Sequence, residues 1–198
     1  RTILDRNHLK APSSHIPIET LSKGWEKMLD DAHVMGHEYL IVAWIDEPDR
    51  TVDGYKRIAE LFNRAGETAR KAGIRLGYHN HSYEFAPVDG QRPYNILLTN
   101  TDPKNVVFEL DLFWIVKGGA DPLTYFTMQE GRFPLAHVKD MDPRGGMVDV
   151  GRGTIDFPSI FRHAKQAGIK HYFVEHDEPA DPFASIAASY KYLRALRF

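Results

Sequence analysis

With 198 residues, of which 42% are hydrophobic and 26% charged, the chain can bury one sizeable core, and a single domain over residues 1–198 is expected. Its formal charge of −2 provides no excess of positive charge for a phosphate backbone, which disfavours nucleic-acid binding and favours a small-molecule partner. No apolar run approaches the roughly 20 residues that span a bilayer, and without cysteine there are no disulfides and no thiolate chemistry.

The predicted elements alternate between helix and strand in the first half of the chain. Apolar residues at three- and four-residue steps predict an amphipathic helix over 18–35. The continuous run YLIVAW, 39–44, is typical of a strand buried on both faces of a parallel sheet. The same cycle recurs with a helix over 55–72 and a strand over 74–79.

The alternation continues to the carboxyl terminus. The further predicted helices cover 94–101, 121–129, 156–167 and 182–197, and the further predicted strands cover 105–111, 134–140 and 170–175. Strict alternation predicts a parallel sheet that is either doubly wound or closed into a (β/α)8 barrel.

Polar and aromatic side chains collect at the carboxyl ends of the predicted strands. Because these ends lie at one face of a parallel sheet, and a barrel places its active site there, the side chains are expected to converge. Each also has a structural explanation: Asp111 fits a helix cap, and His137 fits a satisfied core histidine. The residues are His15, Trp44, His79, Asp111, His137, Lys139 and Glu175.

Two or three carboxylates beside one histidine suit a single divalent ion, namely Mn²⁺, Mg²⁺, Co²⁺ or Zn²⁺. Such a site with open positions can polarise a carbonyl and its neighbouring hydroxyl. It can also stabilise the enediolate that forms when a carboxylate removes the adjacent proton. The predicted chemistry is therefore proton transfer next to a carbonyl.

Aromatic and basic residues near these strand ends are candidate substrate contacts. Trp44, Trp114 and Phe113 are expected to form a wall on which a sugar stacks, although packing is the commoner role of such residues. The segment VGRGTIDF, 150–157, lacks the spacing of a phosphate-binding glycine loop and is interpreted as a mobile active-site loop. Arg152 in this loop is expected to contact an anionic or hydroxylated substrate.

Five motifs in order carry a family resemblance: GYHNHSYEF, ELDLFW, HVKDMD, VGRGTIDFPSIF and YFVEHDEP. They resemble the xylose isomerase-like barrel superfamily, specifically the sugar phosphate isomerase/epimerase family, over nearly the whole chain. The resemblance implies a TIM (β/α)8 barrel and a divalent metal held by a glutamate, an aspartate, a histidine and a second glutamate. Asp111, His137 and Glu175 match the last three of these ligands.

The first ligand matches less well. Many members have a glutamate where this chain has His79, and Glu84 follows five residues later. The resemblance therefore implies either Glu84 or His79 as the ligand, and Glu84 is preferred, with His79 and His81 as substrate or proton-transfer groups. It also implies that Glu84 and Glu175 act as paired acid and base, with Lys139 near the substrate. If His79 is the ligand, the acid/base pair must be reassigned.

The segment LKAPSSHIP resembles the third strand of the family barrel, so the first two βα units are expected to be absent from this chain. Six strands with two unpaired edges are unfavourable in a natural protein. We therefore expect either a longer gene product or a second chain, such as a homo-oligomer partner, over the open edge. The cytoplasm is the favoured compartment, and the periplasm stays open if a signal preceded these residues.

The leading hypothesis is a divalent-metal-dependent sugar or sugar phosphate isomerase/epimerase that acts in carbohydrate metabolism through an enediolate. A keto-sugar lyase or dehydratase on the same scaffold is the main alternative, because it needs the same proton removal. A non-catalytic, truncated homologue is a third alternative. An apurinic endonuclease shares the fold, but the charge of −2 disfavours it.

Overall fold

The structure, a computed structural model, describes residues 1–198 and contains nine α-helices and eight β-strands. The strands are β1 (Ser13–Ile16), β2 (Tyr39–Val42), β3 (Arg75–His79), β4 (Val106–Asp111), β5 (Leu135–Val138), β6 (Asp140–Met141), β7 (Met147–Val148) and β8 (His171–Val174). The helices are α1 (Thr2–Arg6), α2 (Trp25–Met35), α3 (Val52–Lys71), α4 (Pro93–Asn100), α5 (Leu112–Lys117), α6 (Pro122–Met128), α7 (Phe157–Arg162), α8 (Ala164–Ala167) and α9 (Pro182–Ala195). Short 3-10 helices lie at Ile18–Leu21, Glu47–Asp49 and Tyr83–Phe85.

Six strands form one sheet in the order β1-β2-β3-β4-β5-β8, and the small strands β6 and β7 pair antiparallel with each other. The predicted alternation of helix and strand in a parallel sheet is confirmed. The chain divides into two compact units, residues 1–79 with 86–108 and residues 80–85 with 109–198. None of the helices combines the length and the apolar composition needed to cross a bilayer.

The first unit is built on strands β1 to β3 and the long helix α3. All four residues of β2 are buried, as expected for a strand covered on both faces. Helix α3 begins where the Thr51 side chain accepts a hydrogen bond from the Gly54 N–H, and it buries one face that includes Tyr55 and Phe62. This helix contacts both α4 and β3.

The second unit contains the end of β4 together with β5, β8 and helices α5 to α9. Strands β4 and β5 are fully buried, whereas β8, at the end of the sheet order, alternates between half-buried and exposed residues. The register pairs Asp111 of β4 with His137 of β5, and His137 with Phe173 of β8. This register places the ends of three neighbouring strands together.

The structure differs from the predicted elements in two helices that are divided and in several elements that were not predicted. The helix expected over 18–35 is a 3-10 helix followed by α2, because Gly24 adopts a positive φ of 89° between them. The helix expected over 156–167 is divided at His163, whose ring nitrogen Nδ1 contacts the Ser159 carbonyl oxygen at 2.9 Å. Helices α1 and α5 and the β6-β7 hairpin were not predicted from the sequence.

Candidate active site

A cluster of charged side chains lies at the carboxyl ends of β4, β5 and β8 in the second unit. Asp111 ends β4, and Lys139 and Glu175 directly follow β5 and β8. Because side chains alternate along a strand, Lys139 points to the same side as His137, two residues earlier. The cluster therefore follows from parallel pairing and the two-residue strand period.

Asp111 is fully buried and has a separate contact for each carboxylate oxygen. Oδ1 accepts a hydrogen bond from the Trp114 N–H at 2.9 Å and so caps α5. Oδ2 lies 3.2 Å from the Lys139 ammonium. The backbone N–H of Asp111 also donates to Asn80 Oδ1 at 3.0 Å. Asp111 is therefore a helix cap and, through its other oxygen, a member of the charged cluster.

His137 lies between carboxylates on both sides of its ring. Its Nδ1 is 2.8 Å from Glu175 Oε2 and 4.0 Å from Asp111 Oδ2, and its Nε2 is 3.1 Å from Glu109 Oε2. Burial alone would lower the pKa of His137, but the hydrogen bonds with Glu109 and Glu175 outweigh it and raise that pKa from 6.5 to about 9. In the absence of a metal ion, the imidazole is therefore a cation at neutral pH.

Lys139 is buried and contacts three carboxylates. Its Nζ lies 2.8 Å from Glu175 Oε2, 3.1 Å from Asp177 Oδ1 and 3.2 Å from Asp111 Oδ2. Burial opposes the charged form, but the charge of Asp111 and the hydrogen bond to Glu175 raise the pKa of Lys139 above its usual value. The hydrogen bond from His137, together with that from Lys139, holds the pKa of Glu175 far below its usual value.

Two pairs of donor atoms at His137 have spacings that suit a divalent metal ion. Two atoms that each lie about 2.1 Å from one ion are at most about 4.2 Å apart. The distances of 2.8 and 4.0 Å from His137 Nδ1 to Glu175 and Asp111 are within that limit. The cluster also carries four carboxylates, including Glu109 and Asp177, against two cationic side chains, and this excess of negative charge favours the binding of a cation. The second unit therefore holds a group of residues with suitable metal-ligand atoms.

Glu84 is fully buried in the 3-10 turn at Tyr83–Phe85. Its Oε2 accepts a hydrogen bond from the His81 N–H at 2.9 Å. The His81 ring stacks on Tyr83 with a centroid separation of 5.7 Å, and it also lies 5.5 Å from Trp114. Trp114 in turn lies 5.9 Å from the Lys139 ammonium. His81 and Trp114 are thus close to each other in the second unit, and their substrate roles stay predictions.

Three predicted site residues lie in the first unit. His79 ends β3 and is buried, and its ring centroid lies 5.2 Å from that of His15. Trp44 is half exposed, donates from Nε1 to Asp46 Oδ1 at 3.0 Å, and lies under the Arg50 guanidinium at 4.7 Å. The choice between His79 and Glu84 as first ligand stays open.

The glycine loop that carries Arg152 is organised by a buried carboxylate. Asp140 accepts hydrogen bonds from the N–H groups of Gly151, Gly153 and Ile155 at 2.9, 2.9 and 3.2 Å, and also from its neighbour Met141. A Cβ atom at Gly153 would collide with this carboxylate. The loop N–H groups are therefore directed at an internal anion. The Arg152 side chain is 70% exposed and pairs with Asp149 at 3.5 Å.

Three acidic residues of this region were missed in the sequence: Glu109, Asp140 and Asp177. A signal was present for Glu109, because it lies two residues before Asp111 in an otherwise apolar strand, and fully buried glutamates are rare unless paired. A similar signal was present for Asp177, because it lies two residues after Glu175. Asp140 gave no comparable signal, because its role depends on the fold of the loop.

The family model for the xylose isomerase-like TIM barrel matches residues 12–196. This chain belongs to the xylose isomerase-like TIM barrel family. The predicted family and fold class are thereby confirmed, and the six-stranded sheet agrees with a partial barrel.

Relatives within the family have different names. The inosose dehydratase of Lacticaseibacillus casei is 28% identical over 235 residues, covering 97% of this chain and 78% of that protein. A sugar phosphate isomerase/epimerase from Parabacteroides distasonis is 32% identical with a TM-score of 0.87, covering 98% of this chain and 73% of that one. The IolI protein, whose crystal structure contains a zinc atom, is 17% identical with a TM-score of 0.72. The match covers 93% of this chain and 75% of that one, and it shows a shared fold. The family is thus one of enzymes, whose named members include dehydratases and isomerases or epimerases.

Proposed function

We propose that the chain removes a proton next to the carbonyl of a keto-sugar or keto-polyol, using a divalent ion held by Asp111, His137 and Glu175. The observation that carries this proposal is the approach of their donor atoms, with His137 Nδ1 at 2.8 Å from Glu175 and 4.0 Å from Asp111. The leading form of the proposal is a sugar or sugar phosphate isomerase/epimerase, in which the proton returns to carbon.

A bound divalent ion supplies Lewis-acid polarisation of the carbonyl. Glu175 stays ionised and is 44% exposed, so its carboxylate is accessible to a substrate. Both of its contacts, with His137 and Lys139, use Oε2, and the proposal assigns proton transfer to Oε1. Lys139 holds Glu175 in place and contributes a fixed positive charge beside the carbanion that develops.

A dehydratase is the second candidate. It is favoured by the inosose dehydratase relative that matches 97% of this chain. The first step is the same, and a β-hydroxyl then leaves with a proton from an acid.

Product analysis in D₂O distinguishes these outcomes. The metal-loaded protein is incubated with a pool of keto-sugars, their phosphates and keto-inositols, and products are followed by NMR. A product that carries deuterium beside the carbonyl and has an altered configuration or a shifted carbonyl indicates an isomerase/epimerase. A product that has lost water indicates a dehydratase. No reaction with the whole pool, by folded protein with bound metal, would reject both candidates.

The first ligand and acid/base partner are also part of the proposal. We assign both roles to Glu84, with His79, His81, His15, Trp44, Trp114 and Arg152 as proton-transfer or substrate contacts. Substituting a ligand typically lowers metal affinity more than substituting a substrate contact. Glu84→Gln is therefore expected to weaken metal binding in calorimetric titrations, and His79→Ala to leave it nearly unchanged. The opposite result would identify His79 as the ligand. Unchanged metal affinity in both variants would exclude both residues as ligands.

A further inference from the structure

We propose that Glu109 is a positioning residue that determines which nitrogen of His137 faces the metal centre. This inference rests on the metal site of the proposed function. Glu109 is fully buried, and its Oε2 lies 3.1 Å from His137 Nε2. The opposite ring nitrogen, Nδ1, faces Glu175 and Asp111. Glu109 and the proposed ligands thus contact opposite edges of one imidazole.

The sheet register explains this arrangement. Glu109 and Asp111 are two residues apart on β4, so their side chains point to the same face. His137 is paired directly with Asp111, and Glu109 is paired with Leu135. The His137 ring on β5 therefore lies within reach of both acidic side chains of β4, Asp111 and Glu109. Burying a carboxylate within a strand is costly unless it is paired, and the imidazole provides one such partner.

The chemistry of imidazole connects this contact to metal binding. A neutral histidine has one N–H donor and one nitrogen with a lone pair. A carboxylate can only accept, so Glu109 and Glu175 each accept from one ring nitrogen of the metal-free imidazole. A divalent ion at Nδ1 would take the place of the proton that faces Glu175, and Glu109 would keep the proton on Nε2 of the neutral ring. The other tautomer would place the Nε2 lone pair against a carboxylate oxygen. Carboxylates that hold a metal-binding histidine in this way typically contribute about 10- to 100-fold in metal affinity.

The test combines metal affinity with a direct measurement of the tautomer. Glu109→Gln has nearly the same shape but lacks the charge and can present either an acceptor or a donor to Nε2. We expect it to weaken Zn²⁺ binding by about 10- to 100-fold in competition titrations. We expect Glu109→Asp to recover part of this loss. Asp140→Asn removes another buried carboxylate of the same unit, remote from His137 in its contacts, and is expected to keep affinity within about threefold.

A ¹⁵N spectrum of the histidine-labelled, Zn²⁺-bound protein adds a readout that general destabilisation would not change. In the unmodified protein, Nε2 of His137 is expected to carry the proton and Nδ1 to show the shift of a metal-bound nitrogen. Coordination through Nε2 would overturn the inference even if no Glu109 variant folds. Unchanged affinity together with an unchanged His137 signal in Glu109→Gln would overturn it as well.

Failure of this inference differs from failure of the proposed function. Affinity and tautomer are measured without substrate, so a protein that binds metal through Nδ1 but exchanges no substrate proton would support the role of Glu109 and reject the proposed reaction. An unmodified protein that binds no divalent ion would reject both.

Discussion

Replacing Lys139 by methionine should destabilise the metal-free protein by about 3 kcal/mol. The ammonium contacts the fully buried Asp111 at 3.2 Å, and removing one partner of a buried pair costs about 3–5 kcal/mol. Its other two partners, Glu175 and Asp177, are 44% and 41% exposed, so solvent screens them and the lower end of that range applies. Methionine keeps most of the apolar length of the lysine stem, so the effect is mainly one of charge.

A divalent ion should reduce this loss. Bound metal would supply positive charge to Asp111 and Glu175, so the difference between Lys139→Met and the unmodified protein should shrink when Mn²⁺ replaces the chelator. Urea denaturation at pH 7 under both conditions measures the free energy of unfolding. Lys165→Met, an exposed lysine of α8, should change that free energy by about 0.5 kcal/mol or less.

Two results would refute this reasoning. A loss below about 1 kcal/mol in chelator would mean that the ammonium is not an essential counter-charge for buried Asp111. A loss that Mn²⁺ leaves unchanged would mean that the ion does not bind beside these carboxylates.

Two further predictions concern His137 and the glycine loop. Because folding raises the pKa of His137 from 6.5 to about 9, its contribution of about 3 kcal/mol is fully present below pH 6.5 and is lost as pH rises through 9. Unfolding free energies in chelator between pH 6 and 10 should show this fall, and His137→Gln should flatten it; equal slopes would contradict the stated pKa. Asp140→Ala removes the acceptor of several loop N–H groups and should cost about 2–4 kcal/mol, with faster tryptic cleavage after Arg152. An unchanged cleavage rate would show that the loop does not depend on this carboxylate.

Local patterns were sufficient to predict the main strands and where they end. Runs such as YLIVAW and VVFEL are apolar because their strands are covered on both faces, and parallel pairing then brings Asp111 and His137 opposite each other. The contacts among Asp111, His137, Lys139 and Glu175 follow from this pairing. Their chemical roles remain proposals.

Features that depend on tertiary contacts could not be predicted in this way. The segment 157–167 has its one proline, Pro158, in the first turn and contains no glycine, yet it is divided at His163, whose side chain bonds back to a carbonyl one turn earlier. Asp140 reads as the polar end of a strand, and only the folded loop shows that its carboxylate accepts loop N–H groups. Asp111 was open to two interpretations, and its geometry shows that one oxygen caps α5 while the other contacts Lys139.

The central claim is that this chain removes a proton beside a carbonyl with one divalent ion at Asp111, His137 and Glu175. The most direct measurement is the rate of deuterium exchange into a keto-sugar or keto-polyol while the protein is titrated with metal. We predict that the rate rises with bound metal, levels off at one ion per chain, and is lost in Glu175→Gln but retained in the exposed variant Glu178→Gln. Full exchange in the metal-free protein, or no exchange at full occupancy, would contradict the claim.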